Sequence, residues 1–336
     1  MLSVALFLVV RVALFAPYAD NLTRVDSRRL QSLAKADLIS EQTRTEAPQI
    51  LIMGTSRLMP LRLPRMEERL GLPPGSSLNL SSPGADFFYL ETVLRRNPAL
   101  LTNASALVID LLPLQAADSH NFDERGEFFL RYATLGQRLA SDSLPSKAVG
   151  VADLIIPARS HAQSPHQWRT VIQELNLPTE ERLDRISTIP MKELSDWAET
   201  TRHVMEARNE GNGFTTIIDL FFPERGLIAN QVNALDRIIE SLPDSCQLIL
   251  VWLPFREDAR DHVAQSPAKT RTQNEFRGML EGISDPQVSL HWFERPEDMG
   301  LRPEFYAADG AHFTLFGMPR VSKRLAELIE PHLPPR

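Results

Sequence analysis

The sequence predicts an α/β fold organised as a doubly wound, mostly parallel five-stranded sheet. Three observations lead there. Short continuous apolar runs, at Ile50–Met53, Ala106–Leu111 and Gln247–Leu253, have no helical period, and Gly54 and Pro254 stop the first and the last. Runs of this kind read as strands buried on both faces. Other segments carry a 3.6-residue apolar period, best seen at Val232, Leu235, Ile238, Ile239 and Leu242. The two kinds of segment alternate along the chain, as they do where helices connect parallel strands.

In chain order, the first strand is followed by a helix over Leu61–Leu70, which Gly71 and Pro73-Pro74-Gly75 bring to a stop. Ser77–Leu80 alternates as a second strand, and Ser81–Ala85 turns into a helix over Phe87–Arg96. Ala106–Leu111 is the third strand. The pattern then breaks over residues 116–213, a polar stretch with helix-start signals at Pro165 and Pro178-Thr179-Glu180-Glu181 and no convincing strand. It reads as a helical insertion, either a lid over the carboxyl end of the sheet or an element packed elsewhere. A short apolar stretch at Phe214–Phe222 reopens the pattern. It continues with a helix over Asn230–Leu242, the fourth strand Gln247–Leu253, a helix over Thr270–Leu280, a fifth, edge strand over Gln287–Trp292 and a last helix over Met318–Ile329. One α/β domain over residues 47–330 accommodates all of this.

Composition excludes several functions. The 336 residues are 43% hydrophobic with a net charge of −7, so no general basic field is present to hold nucleic acid. Cys246 is the single cysteine, which rules out a disulfide within the chain, and no Cys/His group has zinc spacing. Neither a metal nor a cofactor is expected. Residues 1–19 are apolar apart from Ser3, Arg11 and a final Pro17 region. Ten Leu, Val and Phe sum to roughly −3 to −6 kcal/mol of insertion free energy, against about +2.5 to +3.5 for a central Arg. The segment reads as a membrane anchor, with an uncleaved or cleaved signal and a buried helix as alternatives. The polar stretch 20–46 reads as a stalk. The exported readings place the domain in the cell envelope, outside the cytoplasm, or secreted.

Two places carry candidate chemistry. Gly54-Thr55-Ser56 follows the first strand at its carboxyl end, where open α/β sheets bind ligands. Ser56 there can expose its hydroxyl while backbone N–H groups point at the same space. The alternative is a cap for the next helix. Near the other end, Asp309 and His312 stand three apart in the loop before the last helix, a spacing that can put both side chains on one side of a turn. A carboxylate on Nδ1 would fix the imidazole tautomer and free Nε2 to take a proton from a Ser. A loop salt bridge is the plainer reading. Asp110, at the carboxyl end of the third strand, is the best further carboxylate candidate. The histidines other than His312 read as surface, lid or core residues, with His262 in a polar loop.

In these residues the chain resembles the GDSL-like, or SGNH, hydrolase superfamily. Gly54-Thr55-Ser56 is similar to its first block, with Thr for the usual Asp. Gly84 is similar to the second, and Asp309-Gly310-Ala311-His312 to the Asp-x-x-His of the fifth, continued by Thr314 and Gly317. The third block, Gly-x-Asn-Asp, is replaced by Asp110-Leu111-Leu112-Pro113-Leu114-Gln115. With Arg57 and the N-terminal apolar run, this departure resembles the membrane-tethered branch that handles envelope polysaccharides. The resemblance implies a three-layer fold and a catalytic set of Ser56, Asp309 and His312. It also implies an oxyanion hole from the N–H groups of Ser56 and Gly84, and no cofactor. Its substrates would be acylated saccharides or lipids, cleaved by an esterase or passed to an acceptor by an O-acyltransferase within an envelope polysaccharide machinery. A non-catalytic assembly protein is the third possibility.

Overall fold

Five strands, all parallel, form the sheet in the order β2-β1-β3-β4-β5. They are β1 Ile50–Met53, β2 Ser77–Asn79, β3 Ala106–Asp110, β4 Gln247–Trp252 and β5 Val288–Trp292. The computed structural model describes residues 48–82, 84–117 and 213–334, together with Leu139 and Ala148. Apart from those last two, the described residues belong to one unit, Ser40–Ser119 with Ile189–Arg336. The expected N-terminal helix, the stalk over 20–46 and nearly all of the insertion over 116–213 lie outside the described residues, as do His120, His161, His166 and His203. Among the described residues no helix is long and apolar enough to cross a membrane.

The register aligns Ile50 with Ser77 and Ala106, Ala106 with Gln247, and Leu248 with Val288. Every residue of β1 and β3 is buried, which is why these strands read as unbroken apolar runs rather than alternating ones. The expected mostly parallel sheet is parallel throughout, and β5 lies at an edge, half-buried along its length.

The seven helices among the described residues are α1 Leu63–Leu70, α2 Phe87–Arg96, α3 Gly213–Phe221, α4 Ala229–Glu240, α5 Glu257–Ala264, α6 Pro267–Glu281 and α7 Met318–Ile329. Chain direction across the sheet reverses after β2, so right-handed crossovers put α1 and α2 on opposite faces. On the first face, Ile50, Ile52, Val108, Ile249 and Val251 join Met66 and Leu70 of α1 and Val321 and Leu325 of α7 in one core. On the other, Phe87 of α2 stacks on Phe276 of α6, with ring centroids 6.2 Å apart. Asp86 caps α2 by accepting from Tyr89 N–H at 2.8 Å, and Gln231 of α4 donates to the same carboxylate at 2.9 Å.

Local chemistry sets the element ends. Gly71 ends α1 in the left-handed conformation, and the buried Glu67 carboxylate then accepts from Gly75 N–H at 3.2 Å and Ser77 N–H at 2.7 Å. That carboxylate fixes the turn into β2. One expectation is corrected: His262 lies in α5 rather than in a loop, with Nε2 2.9 Å from Asp219. The stretch Phe214–Phe222 is largely helical, as α3. Cys246 is a buried core residue, and burial pushes its thiol up to about 11.

Candidate active site

The order 2-1-3-4-5 is that of flavodoxin-like sheets, whose topological switch point lies between β1 and β3, outside the carboxyl ends of the strands. Gly54-Thr55-Ser56 leaves β1 at this point, and Asp110 ends β3 beside it. Gly54 has φ 137°, and a Cβ placed on it would sit 1.7 Å from Asp110 Oδ1. Only glycine lets the chain pass so close to that carboxylate. The close approach lets Thr55 N–H donate to Asp110 Oδ1 at 2.6 Å and the Thr55 hydroxyl donate to Oδ2 at 2.7 Å. Thr55 therefore ties the loop that carries Ser56 to β3. Burial drives the Asp110 pKa up, opposed by the Thr55 hydrogen bonds and by the Arg57 charge. Asp110 holds Thr55 and makes no hydrogen bond to His312.

Ser56 does not cap the next helix. The N-cap of α1 is Arg62, which makes no side-chain cap bond. The Ser56 hydroxyl instead lies 2.6 Å from His312 Nε2. His312 Nδ1 lies 2.6 Å from Asp309 Oδ2, and Asp309 Oδ1 accepts from Ala311 N–H at 3.0 Å and His312 N–H at 2.9 Å. Burial opposes ionisation of Asp309, but the His312 contacts and the two backbone donors outweigh it and bring its pKa down to about 2. An ionised Oδ2 at 2.6 Å requires a proton on Nδ1, so Nε2 of the neutral ring is the acceptor for the Ser56 hydroxyl. The three residues thus form one hydrogen-bonded line from a buried carboxylate to a serine that is 8% exposed.

A pH prediction follows from the folded pKa. An acid group whose pKa is lower in the folded than in the unfolded chain stabilises the fold above its unfolded pKa, and that contribution is lost as pH falls through the folded value. For Asp309, going from 3.8 to about 2, the contribution is full above about pH 4 and disappears toward pH 2. It is worth about 2 kcal/mol. Denaturant unfolding across that range is expected to lose this slope in Asp309→Asn, and an unchanged slope would contradict the assignment.

Arg57 had no physical role legible in the sequence, and the structure supplies one. Its guanidinium is fully buried and donates from Nε to Ala311 O at 3.0 Å, from Nη1 to Leu253 O at 3.0 Å and from Nη2 to Pro254 O at 2.8 Å. It sits between two rings, with its central carbon 4.3 Å from the Phe255 centroid and 5.1 Å from that of Phe313. Burial lowers its pKa to about 10, opposed by Asp110, Tyr306 and Asp309, so it stays charged at neutral pH. One side chain therefore joins the residue after Ser56, the end of β4 and the residue before His312. Arg256 supports the same loop, donating to Ala307 O and Ala308 O at 3.0 Å each while paired with Asp258 at 2.7 Å. We expect Arg57→Lys, whose single ammonium cannot span three carbonyls, to cost about 2–3 kcal/mol in denaturant unfolding. Turnover should fall further than KM moves. Wild-type stability in this variant would contradict the clamp.

Gly84, with φ 62°, lies in the loop at the carboxyl end of β2, next to β1 in the sheet. Among the described residues, the N–H groups of Ser56 and Gly84 make no intramolecular hydrogen bond. The loop after β3 offers one amide, Gln115, and it is committed: Nε2 donates to Asp110 O and Oε1 accepts from Leu112 N–H, both at 2.8 Å. Among the described residues of this loop, Gln115 therefore supplies no third donor. Phe221 of α3 lies 5.6 Å from the His312 ring, a neighbour the sequence did not single out. Among the described residues no group of three His, Cys, Asp or Glu could hold a metal ion.

Neither a protein-family profile nor a curated protein matches the chain. Among solved structures, one similar chain is from Streptococcus pneumonia and is described as a proposed platelet activating factor. It has 11% identity and a TM-score of 0.42, over 90% of this chain and 92% of that one. Another, described as the lipase/acylhydrolase from Enterococcus faecalis, has 14% identity and a TM-score of 0.37, over 86% of this chain and 98% of that one. At these values neither likeness bears on activity.

Proposed function

We propose that the chain is a serine ester hydrolase of the SGNH type, with Ser56 as nucleophile, His312 as general base and Asp309 orienting the imidazole. The observation that carries this reading is the unbroken line Ser56–His312–Asp309, with both links at 2.6 Å. His312 Nε2 takes the hydroxyl proton as Ser56 Oγ attacks the ester carbonyl. The N–H groups of Ser56 and Gly84 receive the oxyanion. The imidazolium then protonates the leaving alkoxide, and water, deprotonated by the same nitrogen, releases the acid and restores Ser56. No step calls for a metal or cofactor.

With Gln115 turned into its own loop, the described residues offer the oxyanion two donors rather than three. One donor is worth about 10²–10³ in turnover, so we expect a slow hydrolase or one selective for activated or well-held esters. Acyl esters of saccharides or lipids, acetyl above all, are the proposed substrate class. The apolar N-terminal segment is proposed to hold the domain in the cell envelope.

Release of p-nitrophenol from p-nitrophenyl acetate by the full-length chain, with and without a saccharide acceptor, tests the reading. Hydrolysis without acceptor supports it. Turnover that appears only with the acceptor points to an O-acyltransferase using the same Ser56 acyl-enzyme. No turnover in either case leaves the non-catalytic assembly reading.

A further inference from the structure

The loop that carries His312 runs on into Leu315 and Phe316, 47% and 78% exposed. Among the described residues of this unit, no other large apolar side chain is exposed. They sit at the carboxyl edge of the sheet, directly before α7. Beside them a groove of about 520 Å³ opens between α1 and α7, walled by Phe305 and Phe316 and lined by the cations Arg65, Arg69, Arg320 and Lys323. No carboxylate lines it. Glu327, on α7, is shared between Arg69 at 3.2 Å, Arg324 at 3.0 Å and Lys323 at 3.9 Å. Arg65 and Arg320 have no ion pair among the described residues. The wall also holds the Ser322 hydroxyl, which is buried and without a hydrogen-bond partner.

This concentration of positive charge is local, because the whole chain carries −7. Isolated apolar side chains on a surface need no explanation, but an aromatic and a leucine projecting together from a ring of cations do. Cations alone would suit any polyanion. A protruding Leu-Phe tip adds a part that only an apolar phase satisfies, and aromatic side chains favour the headgroup level of a bilayer.

We propose that this face docks on an anionic lipid surface, with Leu315 and Phe316 entering the headgroup boundary and Arg65, Arg69, Arg320 and Lys323 meeting the lipid phosphates. Docking sets the carboxyl edge of the sheet, where Ser56 lies, toward the bilayer. The inference concerns binding and stands whether or not Ser56 turns over an ester.

The apolar N-terminal run would itself partition into any bilayer, so the test must read this face alone. Cys246 is the single cysteine and is buried, so Leu315→Cys in the full-length chain can carry an environment-sensitive dye by itself. We expect a blue shift on vesicles containing about one third phosphatidylglycerol, and little on pure phosphatidylcholine. Adding Arg65→Gln and Arg320→Gln, both at exposed positions, should weaken the response roughly 25-fold, about fivefold per cation removed, with the melting temperature unchanged. Equal shifts on both vesicles, or no loss in the double variant, would overturn the proposal. A blue emission before any vesicle is added would show the tip covered by another part of the chain. An equal response to dextran sulfate would make the partner a soluble polyanion. Either result would also overturn it.

Discussion

Replacing Ser56 by Ala is expected to lower ester turnover by on the order of 10⁴-fold or more, with the fold intact. In the proposed mechanism the Ser56 oxygen bonds to the acyl carbon, and among the described residues no neighbouring side chain can take its place. Thr55 Oγ1 is spent on Asp110 at 2.7 Å and sits in a fully buried residue. What survives in Ser56→Ala is whatever the two N–H donors and substrate positioning give to water attack. Stability should change little, because Ser56 contributes one part-buried hydrogen bond, to His312. Removing it costs about 1 kcal/mol. Kinetics with p-nitrophenyl acetate alongside denaturant unfolding separate the two effects. Loss of activity together with loss of fold would mean that Ser56 is structural.

The second large effect lies one strand-end earlier. Gly54→Ala should destabilise the chain by about 4 kcal/mol or more, combining backbone strain at a positive φ with forced separation from Asp110. The added methyl would overlap Asp110 Oδ1 at 1.7 Å, and Asp110 Cγ would lie only 2.9 Å away. Neither side can yield cheaply. Asp110 is fully buried and its carboxylate is held by Thr55, while Gly54 O accepts from Ser82 N–H at 2.9 Å across to the loop after β2. Shifting Gly54 therefore loosens the links to β2 and β3 together. The measured quantity is the unfolding midpoint, and a variant within about 1 kcal/mol of wild type would show that the turn can relax, contrary to this account.

The parts of this protein readable from its sequence are those that depend on local pattern. Residues of β1, β3 and β4 that must be buried on both faces leave continuous apolar runs, and α4 leaves a clean helical period. Ser56 and the Asp309/His312 pair were legible because each sits at a chain transition whose position in an open sheet is constrained. Arg57 was not. Its three partners are backbone carbonyls of Leu253, Pro254 and Ala311, between 196 and 254 residues away, and a carbonyl acceptor leaves no mark on residue type. The Thr55–Asp110 pair, 55 residues apart, was half visible, since Asp110 stood out as a carboxylate at a strand end while its partner did not. The helix α5 was not legible, because eight residues with only Ala259 and Val263 buried are too few to show a period. The turn of Gln115 into its own loop leaves no mark on the sequence, because the amide could equally have faced Ser56.

The most direct test of the central claim is labelling by a serine-directed fluorophosphonate, comparing the full-length wild type with Ser56→Ala. A hydroxyl whose proton is drawn by His312 should attack the phosphorus, expel fluoride and leave a stable phosphonyl ester on Ser56. The account predicts labelling of the wild type, mapped to Ser56, and none of the variant. Folded wild-type protein that stays unlabelled, or a Ser56→Ala variant that labels as well as wild type, would contradict it.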